Sequence, residues 1–140
     1  NAPKATYSQW LFDGTTDEHR MWSFILPGNY ASGGTLRGKF GNKTTTAGNV
    51  VWKGAVAQAT DLSTDLDTGN TVFDTVALSS AVAAPTVIGQ VTEFTITLTG
   101  SYTAGRKIIV MLGRDADNAS DTLNAIDACL VDLTFEYTTT

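Results

Sequence analysis

Alternation of apolar and polar side chains, interrupted by turn-forming residues, is the feature that most limits what this sequence can fold into. In one segment Phe94, Ile96 and Leu98 alternate with Glu93 and three threonines. Successive side chains of a strand point to opposite faces of a sheet, so this period of two predicts a strand with one buried and one solvated face. The chain is also short of helix formers and rich in Thr, Val and Gly, which favours strands over amphipathic helices. We therefore expect an all-β chain.

Eight segments show this alternation or are rich in β-branched residues, and each is bounded by Gly, Asp, Asn or Pro. They span residues 5–12, 19–26, 35–40, 49–60, 71–78, 87–99, 106–114 and 126–137. Between them, residues 61–69 form an acidic exposed loop, and residues 79–85 a connection of small residues. Eight half-buried strands predict two packed antiparallel sheets in a single domain, residues 1–140, because one open sheet would leave its apolar face in water. A jelly roll is the expected arrangement, with an immunoglobulin-like sandwich as the alternative.

Two strands carry further information about burial. In the last strand the parity places Cys129, Val131, Leu133, Phe135 and Tyr137 on the core face. The segment 108–112 is instead apolar on both faces, which predicts a central strand whose outer side is covered. The cover would be a loop or a neighbouring subunit, and Ile109 and Met111 are the side chains it would bury.

Charge excludes two classes of partner. The chain has 9 basic and 14 acidic residues, a formal net charge of -5, and no cluster of Lys or Arg. Nucleic acid and anionic membranes both require a basic surface, so we expect neither as a partner. No apolar stretch reaches the roughly 20 residues of a membrane-spanning helix.

Residues that could support catalysis are few, and we predict no catalytic residue, no enzyme and no cofactor. His19 is the only histidine and lies at an exposed strand end, so a catalytic triad has little to be built from. Cys129 is expected to be a small buried hydrophobe and not a reactive thiolate.

The densest polar segment, residues 114–122, offers a weak candidate for a cation site. Asp115, Asp117 and Asp121 could supply oxygen ligands to a hard cation such as Ca²⁺, but the segment lacks the glycine of a calcium loop. The competing interpretation is structural: the carboxylates brace the loop through Asx turns, and Arg114 pairs with one of them. We favour the second interpretation.

Aromatic side chains raise the alternative of sugar binding, in which flat rings stack on pyranose faces. Tyr30 and Tyr102 lie in predicted turns and are the expected contacts for such a ligand. Trp22 and Trp52 lie within strands beside apolar neighbours, where core packing is the better interpretation.

Several phrases of the sequence, taken together, resemble small β-sandwich structural proteins of tailed bacteriophages. They are Trp-Ser-Phe-Ile-Leu-Pro at 22–27, Tyr30 with Gly-Gly-Thr at 33–35, Gly-Asn-Val-Val-Trp at 48–52, residues 92–97, Arg114 with Asp115, residues 121–123 and residues 133–137. The resemblance extends over most of residues 7–137. It implies a virion component without enzymatic activity: a head decoration (cement) protein or a module of a tail fibre, commonly trimeric.

These observations define the expected function. We expect a virion structural protein that acts through subunit contacts, with a homotrimer and other virion proteins such as the major capsid protein as partners. Tyr30, Tyr102, Ile109 and Met111 are the candidate contact residues. The alternative functions are a carbohydrate-binding module that recognises a receptor glycan and a non-phage scaffold or adhesin domain.

Overall fold

The computed structural model describes residues 9–59 and 73–140, and within these residues the chain forms ten strands and no helix. The strands are β1 (Trp10–Phe12), β2 (His19–Ile25), β3 (Tyr30–Asn42), β4 (Asn49–Val50), β5 (Trp52–Ala59), β6 (Ala77–Leu78), β7 (Val82–Ala83), β8 (Thr92–Thr97), β9 (Lys107–Arg114) and β10 (Ala128–Thr139). The predicted all-β class is confirmed.

Two four-stranded antiparallel sheets make up the fold. The first, sheet A, has the order β1-β10-β3-β8, and the second, sheet B, has the order β2-β9-β5-β6. The short strands β4 and β7 form a separate pair. Apart from that pair, successive strands cross between the two sheets except at β5 and β6, which are neighbours in sheet B; this is the strand order of a jelly roll, as expected from the sequence.

The core lies between the sheets and is centred on Trp52. Its indole stacks on Phe94 with ring centroids 4.6 Å apart, and Phe12 and Phe40 meet it edge-on at 5.2 and 5.3 Å. Phe12, Phe40 and Phe94 come from sheet A and Trp52 from sheet B, so one aromatic cluster joins the two sheets. Trp52 is fully buried, which confirms its predicted core role.

Two glycines allow close approach in the core. A Cβ on Gly38 would lie 2.5 Å from the ring of Phe94, and one on Gly48 would lie 2.7 Å from the Cα of Leu123. The absence of a side chain at Gly38 leaves space for the ring of Phe94. At Gly48 it lets the segment before β4 pack against the backbone of Leu123.

Several strand boundaries differ from the sequence-based expectation. β3 begins at Tyr30, five residues earlier than predicted, and the predicted strand 49–60 is interrupted at Val51 into β4 and β5. Residues 71–72 of the predicted strand 71–78 lie outside the described residues, and residues 73–78 contain β6 and a single bridge from Phe73 to Ala57. Residues 79–85 were predicted to be a connection, yet they contain β7, which pairs with β4.

Some of the predictions lie outside the described residues. These are Tyr7 and the rest of 5–8 at the start of the first predicted strand, and the acidic loop 61–69.

A β-bulge changes the parity of β10. The register against β3 shifts between Leu130 and Asp132, so Val131 is an extra residue. On one side of the bulge Leu130 faces the core, and on the other side Leu133 and Phe135 do. The prediction that Cys129 shares a face with Leu133 is therefore wrong, although Cys129 is buried as expected.

Candidate functional site

The outer face of sheet A is polar and charged. Arg37 on β3 donates to Glu136 on β10 at 2.7 Å and also contacts Glu93 on β8. On the same face Lys39 lies 3.9 Å from Asp132. Hydrogen bonds from the guanidinium to the two glutamates raise the pKa of Arg37. This face has the composition of a surface that meets water.

The outer face of sheet B is more apolar, and its charged side chains include Lys53 on β5 and Lys107 on β9. Ile109 and Met111, the residues predicted to need a cover, are half-buried in the central strand β9. Their neighbours on the edge strand β2 are far more exposed: Met21 is 55% and Ile25 67% accessible. We call this surface the apolar face.

Beyond β5, whose outward residues Ala55 and Ala57 are fully buried, the β6 edge of sheet B also has exposed apolar side chains. Val76 and Leu78 are 47% and 49% exposed there. A shallow hollow of about 560 Å³ lies at this end, lined by His19, Lys53, Phe73, Asp74, Val76, Leu78, Met111 and Asp115. Exposed apolar residues therefore extend over both edges of sheet B.

A groove opens at the side of the sandwich where β2 and β10 face each other. Trp10 and Trp22 meet at 5.5 Å, and Phe24 and Phe135 at 5.6 Å, so two aromatic pairs connect the sheets there. The groove has a volume of about 540 Å³, and its lining includes Leu36, Val110 and Leu133. Trp22 is thus half-buried in a groove wall and only partly a core residue. Sequence parity could not show this groove because it depends on how the two sheets are placed.

Tyr30 and Tyr102, the predicted sugar contacts, do not form an exposed platform. Tyr30 is only 6% exposed and donates its hydroxyl hydrogen to the Gly33 carbonyl at 2.9 Å. Tyr102 is half-buried and donates to Asp74 Oδ2 at 2.7 Å. The prediction of Tyr30 as a surface contact is wrong, because it begins β3 and packs inward.

The polar segment 114–122, considered above as a cation site, contains a buried ion pair. Arg114 donates to both carboxylate oxygens of Asp121, at 2.7 and 3.0 Å, and the two side chains are 0% and 1% exposed. The same guanidinium donates to the carbonyls of Leu123 and Ile126, while Asp121 accepts from Val51 N–H. Asp121 thus braces the loop and is not available as the cation ligand considered above.

Asp115 and Asp117 approach a carboxylate that local spacing did not reveal. Asp17, from the turn before β2, brings a ligand oxygen within 4.8 Å of theirs. The ammonium of Lys53 contacts Asp17 and lies 3.2 Å from Asp115, so a side-chain cation already balances the cluster. Burial favours the neutral acid, yet hydrogen bonds from Lys53 and from Ala116 N–H lower the pKa of Asp17. The arrangement is that of an ion-paired loop anchor.

The two residues considered for nucleophilic or acid–base chemistry lie apart. His19 is exposed at the start of β2, opposite Gly113. Cys129 is buried, and burial raises the pKa of its thiol, which disfavours the reactive thiolate.

Comparisons with known protein families, curated proteins and solved structures give no match to this chain. The part of the chain that the structure describes contains no helix long and apolar enough to cross a membrane.

Proposed function

We propose that this chain is a non-enzymatic structural protein of a tailed-phage virion, a capsid decoration protein or a tail-fibre module. In this proposal it acts through contacts of its apolar face with further copies of itself. The observation that carries the proposal is the contrast between the two outer faces: ion pairs cover sheet A, whereas exposed Met21 and Ile25 border Ile109 and Met111 on sheet B. The resemblance in sequence supplies the virion context.

The size of the apolar face suits the centre of a protein interface. Met21, Ile25, Val76 and Leu78 expose about half to two-thirds of their surface. Summed over the β2 and β6 edges of sheet B, these side chains present on the order of 400 Å², the area of a large and often functional apolar patch on a monomeric protein. A standard interface buries about 800 Å² on each partner, so this patch would form its apolar centre within a polar rim.

Assembly on a virion would then follow from mass action. A protein that binds only the closed shell stabilises that shell by RT ln(1 + L/Kd), where L is its free concentration, so the stabilisation grows with the logarithm of L and with its affinity. A self-associating decoration protein, which also contacts the major capsid protein, would connect neighbouring capsid subunits and add contacts to the particle.

The two methionines of the chain provide a direct test of the self-association surface. Met21 and Met111 both lie on the apolar face and are opposite each other in the β2–β9 ladder. Dilute peroxide converts exposed methionine to a polar sulfoxide, which mass spectrometry counts. We expect both methionines to be protected at high protein concentration and oxidised on dilution. Oxidation of Met21 at the same rate at all concentrations would contradict the proposal.

A carbohydrate-binding function has one supporting observation. The Tyr30 and Tyr102 pair is unsuitable, but Trp10, Trp22, Phe24 and Phe135 line the groove, and Trp10 is 38% exposed. The carbohydrate-binding function therefore requires that a sugar binds in the groove between β2 and β10.

A further inference from the structure

A turn at one end of the sandwich exposes three apolar side chains. It lies between β7 and β8, where Val87, Ile88 and Val91 are 52%, 64% and 44% accessible. No charged residue occurs from position 79 to position 91. Turns ordinarily consist of Gly, Pro and small polar residues, and a cluster of exposed apolar side chains is typical of a contact surface. We call residues 87–91 the apolar turn.

The apolar turn is held in one conformation. Gln90 N–H donates to the Val87 carbonyl at 3.1 Å, and Gly89 between them has a positive φ of 89°, as this kind of turn requires. At the base of the turn, the Gln90 carbonyl packs against β3 so closely that a Cβ on Gly41 would lie 2.7 Å from it. A rigid turn loses little conformational entropy when it binds, so its side chains are ready for contact.

The undescribed parts of the chain join the fold at other places. The apolar turn leads into β8 at the end of the sandwich where Phe94 stacks on Trp52. Residues 60–72 follow Ala59, which is at the opposite end of β5 from Trp52. Residues 1–8 lead into β1, at the opposite edge of sheet A from β8. Contact with another molecule is therefore the better explanation of the apolar turn.

Sheet B offers a concave surface of matching character. On β5 the outward residues Ala55 and Ala57 are small and fully buried. On either side of them, Met21 on β2 and Val76 beside β6 are about half exposed. The hollow of about 560 Å³ described above lies between Met111 and the β6 edge. Interfaces pack as densely as protein interiors, so a concave apolar surface requires a convex apolar partner.

Charges around the hollow are already paired within the chain. Lys53 lies 3.2 Å from Asp115. Asp74 accepts hydrogen bonds from the Tyr102 hydroxyl and from Val56 N–H. Removing one member of a paired and partly buried charge is costly, whereas an uncharged partner leaves these pairs in place. The hollow therefore suits an occupant that is convex, apolar and uncharged, as the apolar turn is.

Residues 60–72 of the same chain are the competing occupant, because they adjoin the lining of the hollow at Phe73. They contain three aspartates and no basic residue, and the lining already includes Asp74 and Asp115. Like charges repel at short range, so the uncharged turn is the better match. Dilution distinguishes the two occupants, since only a second copy dissociates from the hollow.

We propose that the apolar turn of one copy inserts into the hollow on sheet B of the next copy. The inference rests on the proposed self-association and names the surface that meets sheet B. The turn exposes on the order of 300 Å², enough for the central anchor of a standard interface of about 1,600 Å² in total, with Met21 and Ile25 covered by the surfaces around it. Such a contact joins two different surfaces, and it closes into a ring, here expected to have three copies, when the rotation between copies permits.

A substitution in the turn tests the contact. Ile88→Lys places a charge in the hollow of the next copy and is expected to raise the dissociation constant of the oligomer about thirtyfold or more, as for an interface anchor. Because Ile88 is exposed, its Tm should change by less than about 3 °C. Thr97→Lys adds the same charge on the exposed outer face of sheet A and should leave the dissociation constant unchanged. Sedimentation velocity over a concentration series measures the constants.

Disulfide trapping identifies the two surfaces. Cys129→Ala first removes the only cysteine, and Ile88→Cys and Val76→Cys are then made in separate chains. When the two chains are mixed and oxidised, we expect mixed dimers and few symmetric ones, because the contact joins the turn to the hollow and neither surface to itself. The chains differ in mass, so mass spectrometry separates the products. Thr97→Cys in place of Val76→Cys is the control and should give few mixed dimers.

Each of four results would overturn the inference. Symmetric Ile88→Cys dimers in excess of mixed dimers would show that turns meet each other. Maleimide labelling of Val76→Cys should become faster on dilution, and labelling that is blocked at every dilution would assign the hollow to residues 60–72 of the same chain. An oligomer that Ile25→Lys breaks and Ile88→Lys leaves intact would contradict the inference and retain the proposed self-association. A wild-type monomer at every concentration would contradict both.

Discussion

Replacing Asp121 with alanine is expected to be the most damaging single change to the loop beside β9. The substitution leaves the guanidinium of Arg114, which is fully buried, without its carboxylate. It also leaves the N–H of Val51 without its acceptor at 3.0 Å. Removing one partner of a buried ion pair costs about 3–5 kcal/mol, because the remaining charge stays buried and uncompensated. That is a large fraction of the roughly 5–15 kcal/mol that stabilises a typical domain.

Thermal and urea denaturation of Asp121→Ala would measure this cost. For a chain of this length the loss corresponds to a fall in Tm of roughly 10–15 °C. Asp117→Ala serves as the control, since Asp117 is exposed in the same loop and its loss should change stability by less than about 0.5 kcal/mol. The double variant Arg114→Met with Asp121→Leu removes both charges and should recover part of the loss. Recovery stays partial because the carbonyls of Leu123 and Ile126 lose their donor. A loss below about 1 kcal/mol for Asp121→Ala would refute the argument.

Two further predictions concern packing and pH. Gly48→Ala forces a Cβ to within 2.7 Å of the Leu123 backbone and should cost about 1–3 kcal/mol in urea denaturation, whereas Gly28→Ala, with no atom within 4 Å, should not be destabilised. Burial and the hydrogen bond to Asp74 raise the pKa of Tyr102 above its ordinary value of 10.0. The folded chain therefore holds this proton more tightly than the unfolded chain, so the contribution of Tyr102 to stability is complete below pH 10 and declines as the pH rises above it. Unfolding free energies between pH 9 and about 11.5 should fall more steeply for the wild type than for Tyr102→Phe; parallel curves would contradict this.

The fold was accessible to sequence reasoning because alternation is a local property. Phe94, Ile96 and Leu98 are buried, as their parity predicted, and Glu93 lies on the opposite face. The pairing of Arg114 with a nearby carboxylate was also anticipated, since Asp121 lies only seven residues away.

Features that depend on three-dimensional placement could not be predicted. The bulge at Val131 changes which residues of β10 face the core, and no residue type at that position predicts a bulge. The approach of Asp17 to Asp115 joins positions 98 residues apart in the sequence. Pro27, Gly28 and Asn29 predict a turn that extends to Tyr30, yet β3 begins directly after them at Tyr30.

The central claim, that the apolar face holds copies of the chain together, is tested most directly by the native mass in solution. Light scattering would be recorded at two salt concentrations for the wild type, for Ile25→Lys on the apolar face, and for Thr97→Lys on the exposed outer face of sheet A. Apolar contacts resist salt, whereas contacts between exposed charges are screened by it. The account predicts a salt-resistant oligomer, expected to be a trimer, for the wild type and for Thr97→Lys, and a monomer for Ile25→Lys. A wild-type monomer at every concentration, or an oligomer that Ile25→Lys leaves intact, would contradict it.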